Sequence, residues 1–308
     1  MAQNEATVHD MIIIGGGPGG YTAALYAARA GFDTLLLERL GAGGQMATTP
    51  EIDNYPGFPQ GVDGFLLAED MKKQAERFGA KTRYAEATRV SLAGELKRIE
   101  AGGEELLSRT VVIATGANPR ELGVAGEREL IGRGVSYCAH CDGGFFRGKT
   151  VAVVGGGNTA ASDALYLSRV AKKVFLVHRR DTLRATRVYH APLFAAENVE
   201  FCWNSTVKEI LSDGRVTGLR ISDVKTGEER EIAVDGVFVS IGRVPATALF
   251  REQVALDEAG YVLAGEDTKT NLAGVFAVGD VRKKPLYQIV TATADGAVAV
   301  AAAEEYLT

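Results

Sequence analysis

One pattern occurs twice in the chain and constrains the fold more than any other feature. Met11-Ile12-Ile13-Ile14, an apolar run of strand length, enters Gly15-Gly16-Gly17-Pro18-Gly19-Gly20, and a helical pattern from Tyr21 to Ala30 follows. Further on, Val151-Ala152-Val153-Val154 enters Gly155-Gly156-Gly157-Asn158-Thr159-Ala160 and another helical pattern. Each helix leads to a second apolar strand, Thr34 to Leu37 in the first copy and Lys173 to Val177 in the second. The registers agree: Glu38 stands 23 positions after Gly15, and His178 stands 23 positions after Gly155. Both helices even carry Ala-Leu-Tyr, at Ala24 to Tyr26 and Ala164 to Tyr166. An internal duplication is the natural reading.

The glycines say what the duplicated unit is for. In a strand–turn–helix context the first glycine (Gly15, Gly155) permits the tight turn. The second (Gly17, Gly157) lets backbone approach a pyrophosphate at the helix N-terminus, and the third position (Gly20, Ala160) lets the helix pack on the strand. Pro18 in one copy, and Asn158 and Thr159 in the other, open the helices. Glu38 ends the second strand of the first copy, where a carboxylate accepts the hydroxyls of an adenosine ribose. The second copy has His178-Arg179-Arg180 there, with Arg184 one helical turn further on. Guanidinium groups bind a 2′-phosphate that a carboxylate would repel, so the second site is expected to prefer NADP over NAD.

Tyr137-Cys138-Ala139-His140-Cys141-Asp142 carries the reactive chemistry. Two cysteines three apart at a helix start lie on one face of the first turn, with Cα atoms about 5 to 6 Å apart, a separation that a disulfide can span. Helix-start amides favour the thiolate. Asp142 can carry the proton that a departing thiolate takes up if burial raises its pKa. The competing readings are half a zinc site or two buried cysteines. Zinc wants four ligands, and the one other cysteine, Cys202, has no Cys or His nearby at ligand spacing, so a redox pair is favoured.

Composition bounds the rest. At 308 residues two domains are the first expectation, and 46% apolar residues can fill a large core. A formal charge of −5 argues against a nucleic-acid binder, which needs a basic footprint. Three cysteines do not make a secreted disulfide framework, Met1 to Glu5 do not read as a basic leader, and no apolar run is long enough for a membrane span. A cytoplasmic protein is expected.

Between the motifs, Gly41 to Gly64 is rich in glycine and proline and is expected to line a site. Within it Gln45 and Asn54 either meet the polar edge of a ring ligand such as a flavin or serve as turn residues. Phe65 to Phe78 reads as an amphipathic helix, Arg83 to Thr110 as an antiparallel excursion, and Val111 to Ala114 as a buried strand. Thr115-Gly116-Ala117-Asn118-Pro119 and Ile241-Gly242-Arg243-Val244-Pro245 break the chain on either side of the second unit, so residues 119–245 read as a domain inserted between 1–118 and 246–308. In the tail, Gly274 to Asp280 is a strand ending in Gly279-Asp280, which suits an amide and a carboxylate facing a ribityl and phosphate, and Gln288 to Ala303 reads as a small-residue helix.

These residues, in this order and over essentially the whole length, resemble the low-molecular-weight thioredoxin reductases of the bacterial type. The resemblance rests on Gly15 to Gly20, Gly44-Gln45, Asn54, Cys138 to Asp142, Gly155 to Ala160, His178-Arg179-Arg180 with Arg184, and Gly279-Asp280 with Gln288. It implies an α/β fold of two Rossmann-like, three-layer ββα domains, with an NADPH domain inserted into an FAD domain. It also implies a homodimer and thioredoxin as substrate, with Cys141 facing the flavin and Cys138 attacking thioredoxin. Because CxxC and nicotinamide both need one flavin ring, it further implies that the inserted domain swivels about its two linkers.

Three departures stand out. His140 occupies a position where family members usually have Thr or Val. Gly144 stands in place of an aromatic that helps dock thioredoxin, and Tyr287 in place of an Arg before Gln288. A related ferredoxin-NADP reductase would share both nucleotide sites but lack CxxC. A flavoprotein disulfide reductase serving a peroxidase would use another thioredoxin-like carrier, and a nucleotide-sensing scaffold would not need Cys138, Cys141 and Asp142.

Overall fold

In the computed structural model, residues 7–49 and 51–308 are described, so Met1 to Glu5 lie outside the described residues. The chain divides into two compact units, Met1–Asn118 with Val244–Thr308, and Pro119–Arg243.

The first unit is built on a seven-stranded sheet. Val8–Ile14 lies at its centre, paired in parallel with Thr34–Glu38 on one side and Glu104–Ile113 on the other. Lys81–Tyr84 extends the sheet beyond Thr34–Glu38. Glu104–Ile113 changes partner along its length: residues 104–108 pair antiparallel with Lys97–Ala101, and 111–113 pair in parallel with Val275–Ala277. The strand period of two sorts the core into layers. Met11 and Ile13 face the helices Pro18–Arg29, Gly64–Arg77 and Ile289–Leu307, packing against Ala23, Ala24, Leu67, Ala299 and Val300. Ile12 and Ile14 face the other way, against Val90, Leu92, Ile99, Phe250 and Val262. Fully burying one such aliphatic side chain stabilises by about 1.5 to 3 kcal/mol. The two faces of the central strand thus hold a β layer on one side and a helical layer on the other.

The second unit repeats this arrangement. Its parallel sheet has the order Val199–Cys202, Lys173–Val177, Thr150–Val154, Gly236–Val239, Val135–Ser136. Val151 and Val153 pack against Ala160, Ala161, Ala164 and Leu167 of the helix Asn158–Ser168. Ala152 and Val154 pack against the antiparallel sheet Ser205–Ser212, Val216–Asp223 and Glu229–Ala233. Among the described residues no helix is long and apolar enough to cross a membrane.

The structure adjusts several sequence expectations. The stretch from Gly41 to Gly64 is not wholly irregular, because Gly44–Thr48 forms a 3-10 turn and Ile52 bridges to Val62. The last helix runs four residues beyond Ala303, to Leu307. Residues 178–186 contain no helix, so Arg184 is not a helical turn beyond Arg180. A backbone hydrogen bond from its own N–H to the Gly156 carbonyl, 2.7 Å, places it instead.

Candidate functional site

In the first unit the glycine turn is the centre around which the other residues collect. Gly15 takes φ +111°, and a Cβ at Gly20 would overlap the Gly15 carbonyl oxygen, so the helix reaches the strand only because Gly20 has no side chain. Gly17 is the residue at the N-cap of Pro18–Arg29. No side chain caps the helix, and a Cβ added at Gly17 would meet nothing within 4 Å. Uncapped amides therefore face open space, as an anionic diphosphate requires. Glu38 is pinned beside this turn: Oε2 accepts from Gly16 N at 2.6 Å, and Oε1 accepts from Arg39 N and Leu40 N at 2.8 and 3.1 Å.

The more distant sequence candidates reach the same unit. A Cβ at Gly44 would lie 3.9 Å from Gly17 Cα. Gln45 Nε2 donates to the Ala117 carbonyl. Asn54 Nδ2 donates to Gln288 Oε1 at 2.9 Å, joining residues 234 positions apart. A Cβ at Gly19 would meet Gly279 N at 3.5 Å and Ala292 O at 3.0 Å, so the Gly279-Asp280 turn and the last helix abut the glycine turn. The Gly279 amide donates to Asp295 Oδ2 at 2.8 Å, which fixes the turn from within. Asp295 also accepts from Arg282 Nη2 at 2.6 Å and from Arg282 Nε and Lys284 Nζ, both at 2.9 Å. This buried cluster escaped the sequence reading, whose one signal was an acidic residue inside a helix of small ones.

In the second unit Gly155 takes φ +149°, and Ala160 is fully buried against the strand. Gly157 repeats the features of Gly17: an N-cap position, no capping side chain, and nothing within 4 Å of an added Cβ. Asn158 Oδ1 accepts from Thr186 N at 2.8 Å, tying the helix start to the arginine segment, and Thr159 is exposed. His178 is buried with its ring directly against Gly156, where any Cβ would overlap it. Burial pushes its imidazole below the ordinary value, helped by the charge of Arg184, and Nε2 has no hydrogen-bond partner. Arg179, Arg180 and Arg184 are exposed. Arg187, in the 3-10 turn Arg187–Tyr189, is a further exposed cation of this segment that the sequence reading did not single out.

The same unit carries the sulfurs. Cys138 and Cys141 are joined in a disulfide with Cα atoms 5.3 Å apart. Cys138 is the extended N-cap residue of the short helix Ala139–Asp142, so the helix start is shorter than the sequence reading assumed. Ser136 Oγ accepts from Cys138 N at 3.1 Å and donates to Asp142 Oδ2 at 2.6 Å. Burial pushes the Asp142 carboxyl above its ordinary value, and the Ser136 bond offsets only part of this. Tyr137 OH donates at 3.0 Å to the buried Glu127, whose oxygens also accept from Leu122 N and Gly123 N. Neither Ser136 nor Glu127 was legible as a site residue in the sequence. Cys202 is free and buried.

A glycine cradle with open, uncapped helix ends thus occurs twice, and a disulfide that a buried carboxyl can serve with protons sits beside the second. The family model described as pyridine nucleotide-disulphide oxidoreductase matches residues 9–296. The chain belongs to this family. It is 48% identical over 305 residues to a thioredoxin reductase of Listeria monocytogenes, covering 99% of this chain and 95% of that one. A thioredoxin reductase of Bacillus subtilis is 46% identical, with 99% and 96% covered. Among solved structures, thioredoxin reductase from Streptococcus pyogenes superposes with a TM-score of 0.86 at 42% identity, covering 97% of this chain and 98% of that one. Within the family, the relatives place the chain with the thioredoxin reductases.

Proposed function

We propose that this chain is a thioredoxin-disulfide reductase that carries electrons from NADPH through FAD to the Cys138–Cys141 disulfide, and from there to oxidised thioredoxin. The observation that carries this reading is a closed CxxC disulfide on the unit that holds the second nucleotide turn, in a chain alike over its full length to thioredoxin reductases. FAD is held by Gly15, Gly17, Pro18, Gly20, Glu38, Gly44, Gln45, Asn54, Gly279, Asp280 and Gln288. NADPH is held by Gly155, Gly157, Asn158, Thr159, Ala160, His178, Arg179, Arg180 and Arg184. The first unit is then the FAD domain and the second the NADPH domain. Bound there, the two cofactors would supply hydride acceptance and the electron pair that a disulfide needs in order to open.

The chain's own residues do the rest. Gly17 and Gly157 present helix N-termini to diphosphates, and Glu38 and the arginines choose between ribose hydroxyls and a 2′-phosphate. When the disulfide opens, two electrons and two protons give two thiols, and Asp142, whose carboxyl burial pushes up and which Ser136 aims, supplies a proton to the sulfur that leaves. The Cys138 thiolate attacks the thioredoxin disulfide, and Cys141 then displaces the reduced partner and closes the bridge. Homodimeric assembly and a cytoplasmic location belong to the same reading.

A second carrier deserves comparison because Gly144 is exposed, with no atom within 4 Å of an added Cβ, and Phe145 beside it is half exposed. The test is NADPH oxidation by the FAD-loaded protein with oxidised thioredoxin or with a peroxidase-linked thioredoxin-like protein. Turnover with thioredoxin that stops in Cys138→Ser supports the reading. Flavin binding without thiol delivery to thioredoxin would overturn it.

A further inference from the structure

Residues 178–186, which carry Arg179, Arg180 and Arg184, form neither helix nor strand, and neighbouring chain holds them at two places. At the far end the Arg184 and Ala185 amides donate to the Gly156 carbonyl, at 2.7 and 3.1 Å, and the Thr186 amide donates to Asn158 Oδ1 at 2.8 Å. These bonds tie the segment to the glycine turn. At the near end the hold comes from Asn204, just beyond the strand Val199–Cys202. The Asn204 amide donates to the Arg180 carbonyl at 3.1 Å, and the Asn204 carbonyl accepts from the Val224 amide at 2.7 Å. Asn204 takes φ +49°, a left-handed conformation that glycine and asparagine tolerate and β-branched residues do not. It therefore joins the arginine segment to the antiparallel sheet.

A second link runs beside the first. Lys225 follows Val224 in the turn between the strands Val216–Asp223 and Glu229–Ala233, and its Nζ lies 3.7 Å from Asp181 Oδ2. The turn itself is pinned, because Asp223 Oδ1 accepts from the amides of Lys225 and Thr226 at 2.7 and 3.0 Å. Consecutive residues of one turn thus hold consecutive residues of the arginine segment, Val224 reaching Arg180 through Asn204 and Lys225 reaching Asp181 directly. Asp181 is the one acidic residue between His178 and Arg187. Unheld, its carboxylate would pair with a neighbouring guanidinium and repel a phosphate. Among the described residues Arg179, Arg180 and Arg184 have no ion-pair partner, so their donors stay available to an anion.

We propose that Asn204 and Lys225 are positioning residues of the second nucleotide site, which brace the arginine segment from the antiparallel sheet and thereby set the preference for a 2′-phosphorylated ligand. This rests on the reading of Arg179, Arg180 and Arg184 as the groups that take the 2′-phosphate. Both residues act through the arginines. The two links differ in weight. Losing the Asn204 link moves the backbone that aims the guanidinium forks, and their bonds to a phosphate depend on geometry. The Lys225 and Asp181 side chains are 63% and 68% exposed, so their pairing is weak and its effect on binding is the smaller one.

The experiment titrates the FAD-loaded protein by calorimetry with adenosine 2′,5′-bisphosphate and with 5′-AMP, which differ only in the 2′-phosphate. With the first site filled, these ligands report the second. Asn204→Val is expected to weaken binding of the bisphosphate about tenfold, as the loss of one charge-assisted bond gives. Binding of 5′-AMP should change little, because the helix start at Gly157 is untouched. Asn204→Gly, free to take the left-handed conformation, is expected to keep the parent's preference. Lys225→Ala is expected to weaken the bisphosphate about two- to fivefold. In an Asp181→Asn background the same change should have no effect, since no carboxylate is left to hold. A parent-like preference in both Asn204→Val and Lys225→Ala would overturn the proposal, and so would equal losses for the two ligands. If Asn204→Val does not fold, the Lys225 and Asp181 variants decide: a Lys225→Ala loss undiminished by Asp181→Asn would make the lysine a distant attracting charge and overturn its positioning role. A parent that binds both ligands equally would sink the 2′-phosphate reading itself, and the brace with it, a result distinct from a preference that survives the substitutions.

Discussion

Ser136 Oγ donates a 2.6 Å hydrogen bond to Asp142 Oδ2, beside a disulfide whose second sulfur belongs to the preceding residue. Burial drives this carboxyl above its ordinary 3.8, so the folded chain holds its proton more tightly than the unfolded chain does. Asp142→Asn is expected to slow thioredoxin reduction roughly a hundredfold or more, the usual contribution of a placed general acid. Stability moves the other way. A carboxyl whose folded pKa is raised adds stability below its unfolded pKa and loses it as pH rises through the folded value. The variant should therefore gain on the parent in urea unfolding at pH 7, and the gain should shrink as the pH falls through the raised folded value and be gone below the unfolded value of about 3.8. A variant that keeps full turnover would remove Asp142 from the proton route.

Arg179, Arg180 and Arg184 are exposed and follow His178, which stands where Glu38 does in the first unit. Charge-assisted bonds to a phosphate are worth about 1.5 to 3 kcal/mol each. Arg180→Ala and Arg179→Ala are thus expected to raise KM for NADPH by roughly tenfold to a hundredfold and to leave KM for NADH nearly unchanged. Steady-state kinetics with both nucleotides checks this. Equal losses with NADH would mean that these cations act on something other than the 2′-phosphate.

The two copies of the turn close differently. Gly20 cannot accept a Cβ without overlapping the Gly15 carbonyl, whereas Ala160 already carries one and is fully buried. Gly20→Ala should therefore push the first helix off the strand, with loss of flavin retention and a clear fall in urea midpoint. Ala160→Gly should cost about 1 kcal/mol, the helix propensity difference, with nucleotide binding nearly intact. Flavin absorbance after gel filtration and urea titration separate the two outcomes.

What could be read from the sequence was whatever depends on local chain order. The strand–glycine–helix units, the acidic and basic residues 23 positions on, and the CxxC spacing all follow from period and turn chemistry, and the strand Lys173–Val177 matches its apolar run residue for residue. Contacts between residues far apart in the chain leave no such trace. The Asn54 bond to Gln288, the Glu127 bond to Tyr137 and the Ser240–Asp163–His140 chain depend on tertiary packing, which sequence spacing does not encode. The same limit hid the partner of the Gly279 amide, because Asp295 sits in a helix whose small residues gave no hint of its partners.

Asp295 is accordingly where the stability of the first unit should be most sensitive to a single charge. Its side chain is 7% exposed, and those of Arg282 and Lys284 are 5% and 3% exposed. Burial pushes the Asp295 carboxyl up, but hydrogen bonds from Arg282 and Lys284 outweigh it, and the net direction is down. A carboxyl with a lowered folded pKa contributes stability above its unfolded value and loses it as pH falls through the folded one. Asp295→Asn leaves two buried cations without their anion, which typically costs about 3 to 5 kcal/mol. At pH 7 the variant should unfold at much lower urea and release the Gly279-Asp280 turn that the Asp295 oxygen holds. The gap to the parent should narrow in acid, as the parent's own carboxylate is protonated. A variant as stable as the parent at pH 7 would show that the last helix is held by its apolar packing on Met11, Ile13 and Phe276 and not by this charge cluster.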